Sequence, residues 1–295
     1  MILVTAAMGN QGRHLVPRLV AAGHEVRAVV TSDDSAAALR RMGVAQVVTA
    51  DLADERSWAP LVDGIRSIYH IGPTLHPRER AMGIGLIDAA VAADVEHVVF
   101  SSVLHSIVTS LVQHEIKRDV EEHLVLSGLE FSILQPANYM LPLKLRPVFE
   151  RGVFELSWSL ERRQSMVDLA DVAEVAQLVL EYPDAHAGAT YELVAPGRFT
   201  AHDIVAVLSD VLGRRIDARE IDADTYLRAW VGDADPATVS HELSVLRGIT
   251  STYSAHDFVG NPTVLTGLLG RRPTTFREFV EREVARNREG EVGQR

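Results

Sequence analysis

Met1-Ile-Leu-Val-Thr-Ala-Ala-Met-Gly-Asn-Gln-Gly-Arg-His14 opens the chain, and its reading decides the fold. Ile2 to Ala6 is an apolar run that predicts a strand. Gly9 and Gly12 punctuate the loop after it. Leu15, Val16, Leu19 and Val20 then recur at helical spacing. Strand, glycine loop and helix in this order bring backbone N–H groups and a helix N-terminus to one point, where a pyrophosphate can sit.

Working outward, the alternation continues. Strands are predicted over 25–30, 46–50, 67–71, 97–102 and 131–135. Helices are predicted over 35–42, 54–62, 80–93 and 113–127, with glycines 23, 43, 64 and 128 as stops. Strands and helices in this rhythm predict an α/β fold with a doubly wound parallel sheet of the Rossmann type. The loops after each strand then gather along one edge, where ligands bind. The rhythm loosens after Pro136. Residues 1–136 read as a dinucleotide-binding domain, to which 166–195 return with a helix over 168–181 and a strand over 190–194. Residues 137–165 and 196–285 read as a smaller, mostly C-terminal α+β substrate region carrying Tyr139, Trp158, Tyr226 and Trp230. Thr200-Ala-His-Asp203 and Thr275-x-x-Glu278 read as helix starts. Residues 286–295 read as a frayed polar tail.

Composition narrows the function classes. The chain has 295 residues, 47% of them hydrophobic, and a formal net charge of −11. An acidic surface argues against nucleic acid or an anionic membrane as the main partner. The chain has no cysteine, which removes disulfides and thiol nucleophiles together. No signal peptide and no membrane span is read, so the expected location is the cytoplasm. Twelve histidines form neither His-x-x-x-His nor His-Glu-x-x-His, and no metal site is expected. Asp168 and Asp171 read as a helix cap and a first-turn acid.

The order of landmarks resembles the NmrA-like family of atypical short-chain dehydrogenases/reductases. The matching pieces are Val4-Thr-Ala-Ala-Met-Gly-Asn-Gln-Gly12, Gly23-His-Glu-Val-Arg27, Asp51-Leu52 and Ile87-Asp-Ala-Ala90. They continue with His97-Val-Val-Phe-Ser-Ser102, His114-Glu-Ile-Lys117 with Glu121-Glu122, and Leu129-Glu-Phe-Ser-Ile-Leu-Gln-Pro136. Asp168-Leu-Ala-Asp-Val-Ala173 and Tyr191-Glu-Leu193 follow. The resemblance implies NADP or NAD as cofactor. The cofactor set it implies is Ala6, Gly9, Asn10, Gln11, Gly12, Arg13, Thr31, Asp51, Leu52, Ile71, Gly72, Pro73, Ser101, Lys117, Pro136 and Asn138. Ala6 stands where the family has its first glycine, and alanine is not expected to take φ > 0. Thr31 stands where many NADP binders carry arginine. Asp33 and Asp34 argue for NAD if they face inward, whereas Arg13 can reach a 2′-phosphate. The balance leans to NADP.

The catalytic candidates are Lys117, His114, Ser102, His105 and Tyr139. Short-chain reductases use Tyr-x-x-x-Lys, in which the tyrosine delivers the proton as hydride reaches carbon. Gln113 stands in the tyrosine position here, and an amide is no acid. His114 and Lys117, three apart, share a helix face that can look to the sheet edge or to water. Two functions follow. One is an NAD(P)H-dependent reductase of a small apolar carbonyl, quinone or conjugated substrate. The other is a catalytically silent NAD(P)-binding redox sensor acting through a protein partner. A lyase or epimerase is a third reading.

Overall fold

A computed structural model describes residues 1–231 and 239–292 of the chain. The elements begin with β1 (Ile2–Val4), α1 (Gly12–Ala21), β2 (Val26–Val30), α2 (Asp33–Arg41), β3 (Gln46–Thr49) and α3 (Trp58–Val62). They continue with β4 (Ser67–Ile71), α4 (Glu79–Ala92), β5 (His97–Ser101), α5 (Val112–Leu126) and β6 (Glu130–Pro136). Next come β7 (Asn138–Tyr139), α6 (Pro142–Arg151), β8 (Val153–Leu156), β9 (Met166–Val167), α7 (Leu169–Glu181), α8 (Pro183–His186) and β10 (Ala189–Leu193). The chain ends with α9 (Ala201–Leu212), β11 (Asp217–Glu220), α10 (Ala223–Val231), α11 (Ser240–Ala255), α12 (Thr263–Leu269) and α13 (Phe276–Val292).

The chain divides into two compact units. The first comprises residues 1–136 and 169–193, the second residues 137–168 and 194 onward. The first unit carries a seven-stranded sheet in the order β10-β6-β5-β4-β1-β2-β3, parallel at every pairing. The chain builds outward from β1 to β3, then returns to lay β4 on the other side of β1. Strand order therefore reverses between β1 and β4, the switch point where open α/β sheets take their ligands. Leu3, Ile68, Val98, Phe100 and Ile133 from one face of the sheet meet Leu61, Met82, Leu86, Ile87, Val120 and Leu124 from α3, α4 and α5. Burial of this apolar surface is the main force holding that layer.

The second unit holds two short parallel pairs, β7 with β9 and β8 with β11. Its core is aromatic. Trp158 meets Tyr253 edge-on at 5.3 Å, and Tyr253 stacks on Phe258 at 4.7 Å. Tyr226 lies 6.4 Å from Trp158, and both are buried. The side chain of Trp230 lies outside the described residues. Thr200 and Asp203 form a reciprocal capping box at α9. Thr275 and Glu278 do the same before α13, with Glu278 N–H donating to Thr275 Oγ1 at 3.3 Å and Thr275 N–H to Glu278 Oε2 at 2.8 Å. Helix α13 runs on to Val292, past Arg286 where the polar composition predicts fraying. Ionic neighbours along it, such as Arg286 with Glu283 at 2.8 Å, support the extra turns. Among the described residues no helix is long and apolar enough to cross a membrane.

Candidate functional site

The site is built on the switch point. Thr5, the residue after β1, ties the two central strands together. Its Oγ1 accepts the Ile71 N–H at 2.7 Å and donates to the Ile71 carbonyl at 3.1 Å. The glycine loop then turns sharply. Ala6 takes φ +45°, so the expectation that it stays out of the left-handed region is wrong. The turn keeps its shape and the alanine bears the strain. The Gly9 N–H closes it by donating to the Ala6 carbonyl at 2.8 Å. A Cβ on Gly12 would lie 2.5 Å from the carbonyl oxygens of Ala6 and Ala7, so only glycine lets α1 start this close to β1. The amides of Arg13, His14 and Leu15 donate to Gly9 and Gln11 carbonyls. Those of Asn10 and Gly12 have no such partner among the described residues. This is a cradle shaped for an anion.

Gln11 turns inward and is buried. Its Nε2 donates to Ser101 Oγ at 2.7 Å, and Tyr69 OH donates to its Oε1 at 2.7 Å. The glycine loop is thereby locked to the ends of β4 and β5. Arg13 folds back over the loop, with Nε 3.3 Å from the Gly9 carbonyl and Nη2 3.3 Å from that of Met8. Thr31 is exposed just after β2. Ser32 caps α2 by accepting the Ser35 N–H at 3.3 Å. Asp33 and Asp34 are exposed first-turn acids, and Thr49 Oγ1 lies 3.5 Å from Asp33. Asp51 accepts the Ala53 N–H at 2.8 Å, and Leu52 packs into the core.

The chemistry-bearing cluster lies where α4 and α5 meet this edge. Glu79, Met82, Gly83 and Leu86 share one face of α4. Gln113, Lys117, Val120 and Leu124 share one face of α5. A Cβ on Gly83 would lie 2.7 Å from Val120, so that glycine lets the two helices close up. One turn nearer their N-termini the same seam sets Lys117 Nζ 2.7 Å from Glu79 Oε1, with side chains 6% and 2% exposed. Lys117 Nζ also donates to the Ser101 carbonyl at 3.4 Å and lies 5.2 Å from the centre of the Phe100 ring. Gly72, at the end of β4, sits on the pair. A Cβ there would come within 2.8 Å of Glu79 Oε1 and 2.9 Å of Lys117 Nζ. His70 stacks on Phe100, and burial, helped by the Lys117 charge, pushes its pKa down to about 3. Pro73 follows Gly72, half-buried.

Several buried polar atoms here lack a hydrogen-bond partner among the described residues. They include the Glu79 Oε2, the Ser102 hydroxyl and the Gln113 Oε1. Such atoms are few in folded proteins, and each calls for a partner. Together with the glycine cradle they fit a polar, hydroxyl-bearing dinucleotide.

The loop after β5 is anchored. Ser102 N–H donates to the Leu134 carbonyl at 2.8 Å, and Leu104 N–H to that of Pro136 at 3.0 Å. Ser106 Oγ donates to Glu121 at 2.8 Å, and Gln135 Nε2 reaches Glu121 at 2.8 Å and Ser106 at 3.1 Å. His105 is held at φ +58°, with Nδ1 3.5 Å from Glu192. His114 is buried, and its Nδ1 donates to the His105 carbonyl at 2.9 Å. Burial lowers its pKa against the opposing pull of that bond. The ring is therefore neutral, with Nε2 as its acceptor nitrogen.

Of the residues anticipated from sequence, Gly9 to Gly12, Ile71 to Pro73, Ser101, Ser102, His105, His114, Lys117 and Pro136 share this edge of the first unit. Asn138 and Tyr139 belong to the second unit, where they pair with Met166 and Val167, and Asn138 Nδ2 donates to Gln164 at 3.3 Å. Asp168, buried, ion-pairs with Arg282 at 2.6 Å, a partner its cap reading does not supply. Glu79 was not anticipated. It lies between two arginines in a stretch that reads as solvated charge.

Residues 1–279 match the NmrA-like family. Quinone oxidoreductase 2 of Escherichia coli (strain K12) is 24% identical over 293 residues, 95% of this chain and 97% of that protein. The crystal structure of the E. coli NADPH-dependent quinone oxidoreductase QOR2 complexed with NADPH covers 96% of this chain and 99% of its own, with TM-score 0.79 and 24% identity. That of NmrA, a negative transcriptional regulator, in complex with NADP covers 95% and 94%, with TM-score 0.77 and 18% identity. At these identities the structural likeness is one of fold. The family match, spanning nearly the whole length, shows that the chain belongs to the NmrA-like family.

Proposed function

We propose that the chain is an NAD(P)H-dependent reductase of a small apolar carbonyl, quinone or conjugated substrate. The observation that carries this reading is Lys117, sealed at the switch point among buried polar atoms that protein partners leave uncommitted. The E. coli relative named as a quinone oxidoreductase, whose structure holds NADPH, supports it.

In this reading the Asn10 and Gly12 amides hold the pyrophosphate. Arg13, Thr31, Asp51 and Leu52 serve the adenosine end, and Arg13 favours NADP over NAD. Ile71, Gly72 and Pro73 line the path between the two ends. Ser101, Lys117 and Pro136 serve the nicotinamide end. The bound dihydronicotinamide supplies the hydride. Ser102, with its hydroxyl uncommitted, orients the substrate oxygen. His114 is the weaker proton donor, because its neutral ring spends Nδ1–H on the His105 carbonyl. His105, on the strained loop beside Glu192, carries the proton to that oxygen.

The test is titration with all four nicotinamide cofactors, then cofactor oxidation against quinones and aldehydes. NADPH should bind tightest, and turnover should fall about a hundredfold or more in Lys117→Ala. Absence of turnover across the panel, or a variant equal to wild type, rejects the reductase. Gln113 favours a second reading, because no acid stands in the tyrosine position. A redox sensor would bind both cofactor forms without turnover and change its protein partner with cofactor state. Its substrate-free binding would survive where the reductase reading fails.

A further inference from the structure

We propose that Glu79 is a positioning and charge-cancelling residue. It holds Lys117 against Gly72 and sets how evenly the site accepts oxidised and reduced nicotinamide. This rests on the dinucleotide reading above.

Three observations carry it. The pair is sealed on both sides, at 2.7 Å, with neither member reaching water. Oε1 faces Nζ, while Oε2 keeps its lone pairs uncommitted among the described residues. A purely structural buried pair is normally satisfied by further hydrogen bonds. Finally, among the described residues no other cation pairs with Glu79. The flanking arginines of α4 turn outward, Arg78 to Glu55 at 2.6 Å and Arg80 to Asp119 at 2.8 Å. The nearby His70 ring is neutral.

The consequence is electrostatic. The oxidised nicotinamide ring carries a positive charge and the reduced ring none. A lone ammonium at this end would favour the reduced form, and a lone carboxylate the oxidised form. The intact pair is neutral and favours neither. In a buried, poorly screened site one uncancelled charge is felt over several ångströms.

The experiment measures dissociation constants for NADP⁺, NADPH and adenosine 2′,5′-bisphosphate in four proteins. These are wild type, Glu79→Gln, Lys117→Met and the double variant. The bisphosphate lacks the nicotinamide half, so it reports the glycine loop and the adenosine end and should bind all four within about twofold. Glu79→Gln should shift the NADP⁺/NADPH preference toward NADPH by about three- to tenfold. Lys117→Met should shift it toward NADP⁺ by a similar factor, and the double variant should return to the wild-type ratio. Lost packing alone would weaken both nucleotides together and leave the ratio unmoved, which overturns the proposal, as do shifts in the same direction. If Glu79→Gln fails to fold, the comparison of Lys117→Met with the double variant carries the same sign test. Failure of wild type to bind either nucleotide or the bisphosphate would reject the dinucleotide reading itself.

Discussion

Each unit of the chain buries an ion pair, and the two differ in kind. In the second unit Asp168 is 1% exposed, but Arg282 is 32% exposed and reaches both Asp168 at 2.6 Å and Glu283 at 3.2 Å. Its guanidinium also lies 5.4 Å from the centre of the Phe279 ring. One member keeps contact with water, and the pair reads as a staple from α13 to the segment before α7. In the first unit Glu79 and Lys117 are both sealed, and the carboxylate Oε2 keeps its lone pairs. Backbone strain divides the same way. The described non-glycine residues with positive φ are Ala6, Leu75, Asp94 and His105, all in the first unit. Three of them lie in the loops after β1, β4 and β5. At this edge strain and partnerless polar atoms occur together, as they do where a fold is shaped for a ligand rather than for its own stability.

The largest expected effect breaks the sealed pair. Lys117→Met leaves a buried carboxylate without a counter-charge and should cost about 3–5 kcal/mol. Urea unfolding would measure it. Adding Glu79→Gln should recover most of that loss, since removing both charges also removes the desolvation cost. No recovery would mean that Lys117 stabilises by packing alone.

Asp168→Asn is the matched test in the second unit, and about 1–3 kcal/mol is expected. The released Arg282 can swing toward water, whereas Glu79 cannot. A cost equal to that of Lys117→Met would erase the distinction between the two pairs.

The two pairs also differ in how far sequence reveals them. The apolar runs of β1, β2, β4 and β5 are legible because they alternate with helical periodicity and end at glycines. Ser67–Ile71 has the predicted limits. The glycine loop is legible from its own fourteen residues. Glu79 is not, because Arg78-Glu79-Arg80 reads as a solvated cluster and the apolar period starts just after it. The signal was its spacing, since Glu79, Met82, Gly83 and Leu86 fall on one helix face. Its partner lies on the next helix, and only the order of the sheet makes them neighbours. The strain at Ala6 is hidden for the opposite reason, because residue type argues against the conformation the loop imposes. Asp168 likewise gives no hint of Arg282, more than a hundred residues away.

Acid sharpens the contrast between the units. His70 and His97, both in the first unit, have pKa values pushed by burial to about 3 and about 4, from an ordinary 6.5. The unfolded chain takes up these protons below pH 6.5 and the folded chain refuses them. Stability is therefore full above pH 6.5 and declines as pH falls toward 4. Each histidine contributes up to about 1.4 kcal/mol per pH unit. His97→Gln should lower this slope by up to about 1.4 kcal/mol per pH unit, measured by urea unfolding between pH 7 and pH 4.5. An unchanged slope would place the acid sensitivity elsewhere.

The smallest expected effect tests whether the strained edge is strained at all. Ala6 sits at φ +45°, a region that costs a residue with a Cβ about 1–2 kcal/mol. Ala6→Gly removes that cost and adds back about 0.5–1 kcal/mol of chain entropy in the unfolded state. The net should be a stabilisation of up to about 1 kcal/mol, read as a higher urea midpoint with an unchanged slope. The loop backbone is already in the glycine conformation, so binding of adenosine 2′,5′-bisphosphate should not change. A lower midpoint would mean that the Ala6 methyl stabilises by its contacts more than the turn strains it. The glycine loop would then be a packed turn like any other. A higher midpoint with unchanged binding would show that the chain carries strain at this edge which the cradle itself does not need.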